Sequence, residues 1–248
     1  MSFISDEEYF NQYLKSFTLF HDGAPDIISF IKDNQFAYRG ISKGFNQFIT
    51  VNNVTIEIGQ TDLQLNLAKE HPTIIQTIHD YNCQIRDLRV VKTFIYITKL
   101  SNLHVVRKYP IINPATNNFL GIYACFSKYV SPHPVKSIFM INEGKALINI
   151  KKDQKKINFE LSERQKMVLY FYLHRYSYAD ISKIMSSLGH VISASRVNDH
   201  LSNLKYIFSV RSKQELLDKA FALNYHLCIP RTLLKLGVFE INEEIIVQ

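Results

Sequence analysis

Hydrogen-bonding side chains occupy one side of a helix that the sequence predicts at residues 195–208. The opposite side is apolar and carries Val197, Leu201, Leu204 and Phe208 at helical spacing. The polar side consists of Ser195, Arg196, Asn198, Asp199, Ser202, Asn203 and Lys205. Hydroxyl, amide and charged groups of this kind can bind base edges and phosphates, and a short helix fits the major groove. The pattern therefore predicts a segment that contacts double-stranded DNA.

Helix-start signals surround this segment. Ser162 with Gln165 and Ser212 with Glu215 form capping boxes, and Ser177 with Asp180 forms a weaker one. Apolar residues at helical spacing follow each cap: Val168, Leu169, Tyr172 and Leu173 in the first helix, Ile181, Ile184 and Met185 in the second, and Leu216, Leu217, Ala220 and Phe221 in the fourth. The caps and apolar spacing of residues 161–217 therefore predict four short helices that pack together.

These motifs resemble the DNA-binding domain of LuxR-type regulators. The resemblance lies in Leu161-Ser162-Glu163-Arg164-Gln165, Ile192-Ser193-Ala194-Ser195-Arg196-Val197-Asn198-Asp199-His200-Leu201 and Phe208-Ser209-Val210-Arg211-Ser212-Lys213-Gln214-Glu215-Leu216. It implies a helix-turn-helix domain with residues 195–208 as its recognition helix in the major groove. By their place in that helix, Asn198, Asp199 and Ser202 should face bases, and Arg196, Asn203 and Lys205 should lie nearer phosphates. The expected function is a sequence-specific, DNA-binding transcriptional regulator.

The sequence departs from the family pattern at positions that matter for DNA contact. The spacing from Ile181 to Val197 is five positions longer than in the family, so residues 186–190 should enlarge the turn. Arg196 replaces the usual Thr and adds a charge, whereas Ile207 replaces the usual Lys and removes one. The operator sequence therefore cannot be transferred from the family.

The positive charge is concentrated in the C-terminal part. Residues 1–150 hold 14 Lys and Arg against 12 Asp and Glu, and residues 151–239 hold 15 against 7, within a net charge of +7. A basic run at Lys151, Lys152, Lys155 and Lys156 precedes the predicted helices. Attraction to phosphates supplies much of non-specific DNA affinity, so this distribution favours a nucleic-acid partner.

The N-terminal part predicts mixed helices and strands. A hairpin at residues 27–40 precedes a short helix at residues 41–49 and a longer helix at residues 72–88, which begins at Pro72. Three strands follow at residues 90–98, 103–111 and 119–126. This order, with Lys108-Tyr109-Pro110-Ile111 and Leu120-Gly121-Ile122-Tyr123, resembles a PAS domain. The resemblance implies a sensor or dimerisation domain, with a pocket lined by the first and third of these strands and by Ile74, Ile78 and Ile85, although the same residues could simply fill the core.

No cofactor or metal is expected. Asn82-Cys83-Gln84-Ile85-Arg86 resembles a flavin-photoreceptor motif but lies too close to the following strand, and His79 alone does not indicate haem. The sequence has no Gly-rich phosphate loop, HExxH or GxSxG motif, so no catalytic residues are assigned and an enzyme is disfavoured.

The predicted fold class is α+β: a PAS-like antiparallel sheet with helices, then an all-α four-helix LuxR-type domain. The expected boundaries are an N-terminal helical segment at 1–24, the PAS-like domain at 25–129, a connector at 130–159, the helix-turn-helix domain at 160–228 and a tail at 229–248. Three distant cysteines and the lack of a signal peptide or transmembrane run indicate a cytoplasmic protein without membrane contact.

The expected partners are DNA, a second copy of the chain, a small-molecule ligand and, as a further candidate, RNA polymerase. One short recognition helix covers few base pairs, so a homodimer on two half-sites is expected. The alternative function is a non-catalytic protein-interaction or signalling module whose helix-turn-helix no longer binds DNA specifically, since Asp199 would repel phosphates.

Overall fold

The computed structural model describes residues 4–98, 103–128 and 159–241. The chain folds into two compact units, one containing residues 1–129 and 236–248 and the other residues 130–235. Most of the predicted connector at 130–159, with the lysine run 151–156, lies outside the described residues.

The first unit, the sheet unit, is built on a six-stranded antiparallel sheet with the order β2-β1-β5-β4-β3-β6. Its strands are β1 Ile28–Asp33, β2 Tyr38–Ile41, β3 Lys92–Ile97, β4 Leu103–Ile112, β5 Phe119–Lys128 and β6 Gly237–Glu240. The predicted hairpin and the three later strands are confirmed. Strand β6 was not predicted, and it adds part of the tail to the edge of the sheet beside β3.

Helices lie on both faces of this sheet. They are α1 Asp6–Gly23, α2 Lys43–Val51, α3 Asn66–Glu70 and α4 Pro72–Leu88, and a 3₁₀ turn at Asp62–Gln64 precedes α3. Helix α4 begins at Pro72 as predicted. Helix α2 begins two residues later than predicted because Ser42 caps it, accepting a hydrogen bond from the Phe45 N–H at 3.0 Å.

Strand alternation divides the apolar residues between the two faces. Phe30 on β1 and Phe126 on β5 pack against α2, whereas Ile31 packs against Phe17 of α1 on the other face. Gly121 of β5 is required by close approach, since a Cβ there would lie 2.0 Å from the Lys32 carbonyl oxygen. The face that carries α2 to α4 is the concave side that holds the cavity described below.

The second unit is helical in its described residues. Its helices are α5 Glu163–Leu173, α6 Tyr178–Ser187, α7 Ala194–Ile207 and α8 Lys213–Ala222. The predicted apolar stripes meet in one core that includes Val168, Ile181, Leu201 and Leu216. Among the described residues, no helix combines the length and apolar content needed to cross a bilayer.

Candidate functional site

Helix α7 is held by its own cap and by its neighbours. Ser193 is the N-cap and its hydroxyl accepts a hydrogen bond from the Arg196 N–H at 3.3 Å. The Ser182 hydroxyl of α6 donates to the Ile192 carbonyl at 2.6 Å, which fixes the turn before α7. On the buried side, Val197 and Leu201 are fully enclosed in the core. These contacts leave the opposite side of α7 facing outward.

The polar side of α7 is exposed where the sequence predicted. We call this surface the recognition face: it comprises Ser195, Arg196, Asn198, Asp199, Ser202, Asn203, Lys205 and Tyr206. Six of the seven predicted residues are exposed, and Lys205 is half-buried at the margin. Tyr206 was not predicted, although it is 87% exposed. The helical spacing from Asp199 and Ser202 could have identified it, because residues four and seven positions apart share a face.

Charged side chains at the recognition face interact with one another. The Arg196 guanidinium lies 3.8 Å from the Asp199 carboxylate, and both side chains are largely exposed. An exposed pair of this kind contributes little stability, so both groups can exchange partners with a ligand. At the margin, the Lys213 ammonium of α8 donates to Asn198 Oδ1 at 3.4 Å and lies over the Tyr178 ring. Lys213 therefore adds a positive charge beside the residues that the sequence assigned to bases.

The turn between α6 and α7 consists of residues 188–193. Helix α6 continues through Ser187, so Ser186 and Ser187 are helical rather than part of the turn. Gly189 follows with φ of +86°, a conformation that side-chain-bearing residues rarely adopt. The His190 N–H then donates to the Met185 carbonyl at 2.8 Å and closes the end of α6. Residues 188–193 thus form a loop with a hydrogen-bonded start ahead of α7.

A second candidate site is a cavity of about 140 Å³ inside the sheet unit. Its walls come from β1, β2, β3, β5 and β6, from helices α2 and α4, and from the segment between α2 and α3. Most of the lining is apolar or aromatic, including Phe45, Phe48, Ile78 and Phe126. An apolar cavity of about 150 Å³ can hold a benzene molecule, so this cavity has room for one small ring.

The predicted lining is confirmed in part. Tyr96 and Thr98 at β3, Phe126 on β5, and Ile74 and Ile78 on α4 line the cavity. Ile85 does not, because it lies two helical turns beyond Ile78 along α4, where it belongs to the cluster that contains Phe94. The prediction also missed most of the opposite wall, since it placed no cavity residues on β1, β2 or α2.

Buried polar residues adjoin one end of the cavity. This buried polar cluster consists of Lys32, Tyr38, Asp62, Asn82 and Lys108. Asp62 accepts hydrogen bonds from the Lys32 ammonium and, at 2.7 Å, from the Tyr38 hydroxyl. The Lys108 ammonium donates to Asn82 Oδ1 at 2.7 Å. Lys32, Tyr38 and Asp62 line the cavity directly, so a bound molecule would meet charged and hydroxyl groups there.

Burial controls the protonation of this cluster. It lowers the pKa of Lys108 to about 7, an effect that the nearby Lys32 charge increases and Asp62 opposes. Burial also lowers the pKa of Lys32, against the attraction of Asp62. For Asp62, burial acts to raise the pKa, but the two ammonium groups hold it below its ordinary value. Lys32 thus binds the buried Asp62 carboxylate directly, whereas Lys108 acts on it through its charge.

Three cavity-lining side chains carry buried polar atoms without a hydrogen-bond partner among the described residues. They are Asn52 Oδ1, His71 Nε2 and Thr98 Oγ1. A buried polar atom that lacks a partner is costly, and a bound ligand or water can supply one. No local pattern in the sequence identifies these atoms, because each residue is ordinary for its segment. They make the cavity chemically suited to a ligand with its own donors and acceptors.

The two residues that resemble flavin or haem contacts in the sequence lie outside the cavity. Cys83 and His79 face each other on α4 with Sγ and Nε2 3.6 Å apart, and neither lines the cavity. Among the described residues, no group of three or more His, Cys, Asp or Glu is arranged to hold a metal ion.

Comparisons with known proteins identify the fold. No protein-family model matches the sequence, and no curated protein matches it. Among solved structures, a phage VqmA–DPO complex is 18% identical and covers 96% of this chain and 100% of its own, with a TM-score of 0.66. The Vibrio cholerae VqmA–ligand–DNA complex is 16% identical and covers 93% of this chain and 97% of its own, with a TM-score of 0.63.

A third structure is a Vibrio cholerae VqmA dimer without target DNA, described among LuxR-type receptors. It covers 95% of this chain and 99% of its own at 16% identity. Its TM-score of 0.43 is too low to support a conclusion about the fold. The first two likenesses show that the chain has the VqmA fold. They confirm, at the level of fold, the predicted α+β class with its PAS-like and LuxR-type parts.

Proposed function

We propose that the protein is a sequence-specific DNA-binding transcriptional regulator whose PAS-like sheet unit senses a small molecule. The observation that carries the proposal is the recognition face: a capped helix, packed in a helix-turn-helix core, that presents an exposed set of hydrogen-bonding side chains. Asn198, Asp199 and Ser202 are assigned to bases, and Arg196, Asn203 and Lys205 to phosphates. Ser195 lies at the N-terminal end of the same face.

The charge of the second unit supports this assignment. Most of the excess Lys and Arg lies in residues 151–239, and Lys213 stands directly beside Asn198. Asp199 does not argue against DNA, because a carboxylate can accept a hydrogen bond from the amino group of cytosine. Structures with this fold include a complex of VqmA with ligand and DNA.

The sensing part of the proposal depends on the cavity of the sheet unit. It combines apolar walls with charged groups at one end and with the unpartnered atoms of Asn52, His71 and Thr98. A VqmA of the same fold is known in complex with DPO. We therefore expect non-covalent binding of a small polar molecule here, without flavin or haem. A purified protein with a visible flavin or haem absorption band would contradict this expectation.

Binding to random duplex DNA at low and raised salt tests the DNA part. We expect binding that weakens steeply with salt, as counterion release requires. The competing function is a protein-interaction module with an inactive helix-turn-helix, which predicts weak binding that substitutions on the recognition face do not alter. Contact with RNA polymerase and a location in the cytoplasm stay predictions.

A further inference from the structure

We propose that strand β6, which follows the DNA-binding unit in the chain, is a wall of the ligand site and links its occupancy to DNA binding. The inference rests on the proposed function and adds the means by which the two activities communicate. In the chain, residues 159–235 lie between strands β5 and β6, and both strands belong to one sheet.

Strand β6 is attached to the sheet by side chains as well as by backbone. It pairs with β3 from Gly237 opposite Ile97 to Glu240 opposite Phe94. The Glu240 carboxylate accepts from the Lys92 ammonium at 2.7 Å, and the Ile241 N–H donates to the Thr93 carbonyl at 3.0 Å. The paired segment is only four residues long, so its attachment is easily changed by what packs beneath it.

The inner side of β6 faces the cavity. Leu236, Gly237 and Val238 line it, and Val238 is buried against the cluster that contains Ile75 and Ile78. Phe239, the next residue, is 45% exposed, as strand alternation requires. A molecule in the cavity therefore lies against β6 and stabilises the attached strand.

Few residues separate this wall from the DNA-binding unit. Leu233 packs against the helix-turn-helix core, and the Thr232 hydroxyl donates to Glu163 of α5 at 3.4 Å. In the chain, only Leu234 and Lys235 separate Leu233 from Leu236, which lines the cavity. Attachment of β6 to the sheet thus restrains the chain within four residues of Leu233. Because linkage is reciprocal, a ligand that favours attached β6 must alter DNA affinity.

The test compares Val238→Asp with Phe239→Asp, which places the same charge on the exposed side of the same strand. DPO and benzene serve as probes, with binding measured by titration calorimetry and folding by circular dichroism. We expect Val238→Asp to weaken probe binding tenfold or more and Phe239→Asp to stay within twofold of wild type. Val238→Ala, a milder change, should weaken binding severalfold and covers the case in which Val238→Asp does not fold.

DNA affinity is then measured with and without each probe. In wild type and Phe239→Asp, the bound probe should change DNA affinity fivefold or more, and in Val238→Asp it should not. If wild type binds the probe and its DNA affinity does not change, the proposed link between ligand and DNA binding is wrong. If both Val238 variants bind the probe as tightly as wild type, β6 is not a wall of the ligand site. A wild-type chain that binds benzene but not DPO contradicts only the ligand, whereas one that binds neither contradicts the proposed sensing function itself.

A separate observation concerns Tyr206, and we infer that its hydroxyl binds a DNA phosphate and positions the recognition helix. None of the described residues hydrogen-bonds to its side chain or stacks on it, although it is 87% exposed. It lies on the same side of α7 as Asp199 and Ser202, four and seven residues away. This inference also rests on the proposed function.

The position of Tyr206 along α7 favours a contact with the DNA backbone rather than with the bases. Seven residues of helix rise about 10 Å, so Tyr206 lies about that far along the axis from Asp199. The major groove is only about 12 Å wide, and a helix with Asp199 and Ser202 at its floor therefore brings Tyr206 to the groove edge, where phosphates lie. A neutral hydroxyl can donate to a phosphate oxygen without adding charge.

Tyr206→Phe removes only the hydroxyl and is the informative variant, with Tyr176→Phe as an exposed control in the same unit. We expect Tyr206→Phe to weaken binding three- to tenfold on all duplex sequences and to leave the salt dependence unchanged. Affinity equal to wild type on every sequence would overturn the inference, and so would an altered sequence preference, which would mean a base contact. If wild type itself does not bind DNA, the proposed function has failed rather than this assignment.

Discussion

Lys108 is the residue whose environment most directly predicts a dependence of stability on pH. Its folded-state pKa is about 7, against an ordinary value of 10.5 in the unfolded chain. Between these values the unfolded chain binds more protons, so the free energy of unfolding should rise as pH increases from about 7 to about 10.5. Lys108→Met should reduce this rise, as urea unfolding across the range would measure. Lys128→Met, at an exposed position of β5, should keep it.

A lysine on the recognition face gives a second residue-scale prediction. Lys205→Ala should weaken binding to all DNA sequences alike and lower the salt slope by about 0.9, the value for one phosphate contact. Asn198→Ala and Asp199→Ala should instead change the preferred sequence, by about 1–3 kcal/mol for each lost base contact. Fluorescence anisotropy over a salt series measures both. If all three variants bind like wild type, the assignment of the recognition face is wrong.

Single residues were predictable only where a regular pattern identified them. Helical spacing placed the seven polar residues of α7 on one side, and six of them are exposed. The Lys32–Asp62 pair was not predictable, because the two residues are 30 positions apart and meet only through the fold. Lys108 was noticed as part of a motif, yet its burial depends on neighbouring β5 and α4. Polar groups that become buried through long-range contacts leave no local signal.

At the scale of elements, the N-cap of α7 gives a matched comparison. Ser193→Ala removes the hydroxyl that accepts the Arg196 N–H and should lower the free energy of unfolding by about 1 kcal/mol. Ser195→Ala, two residues later and exposed, should change it by less than about 0.5 kcal/mol. Chemical denaturation of both variants measures the difference. Equal effects would contradict a stabilising cap at Ser193.

Elements with local signals were predicted, and those that depend on distant partners were not. Caps at Ser162, Ser177 and Ser212 and the proline at Pro72 located helices to within a residue or two. Strand β6 was missed because its four residues pair with β3, about 140 positions earlier in the chain. Its sequence alone does not distinguish an edge strand from an unstructured tail.

At the scale of the whole molecule, we expect a homodimer on DNA. One recognition helix contacts few base pairs, so specific affinity requires two half-sites related by the symmetry of the protein. Analytical ultracentrifugation should show two chains on one operator duplex. A strict monomer, both free and bound to its operator, would contradict this prediction.

The order of the two units was predictable from sequence, but their connection was not. The distribution of charge and the change from strand to helix periodicity predicted two units, and the chain forms two compact units. The return of the chain to the sheet after the helix-turn-helix followed from no local pattern, and it is this return that places residues 236–238 at the cavity. The boundaries predicted from sequence treat residues 229–248 as a separate tail, whereas residues 237–240 form a strand of the sheet.

Selection of preferred sites from a randomised duplex pool tests the central claim most directly. Wild-type protein should enrich one family of related sequences, and Asp199→Ala should enrich a different family or none. The selected duplex should bind at least about a thousandfold more tightly than unrelated DNA at the same salt concentration. A wild-type protein that enriches no sequence, and binds the pool no differently from Asp199→Ala, would show that this fold does not act as a sequence-specific DNA-binding regulator here.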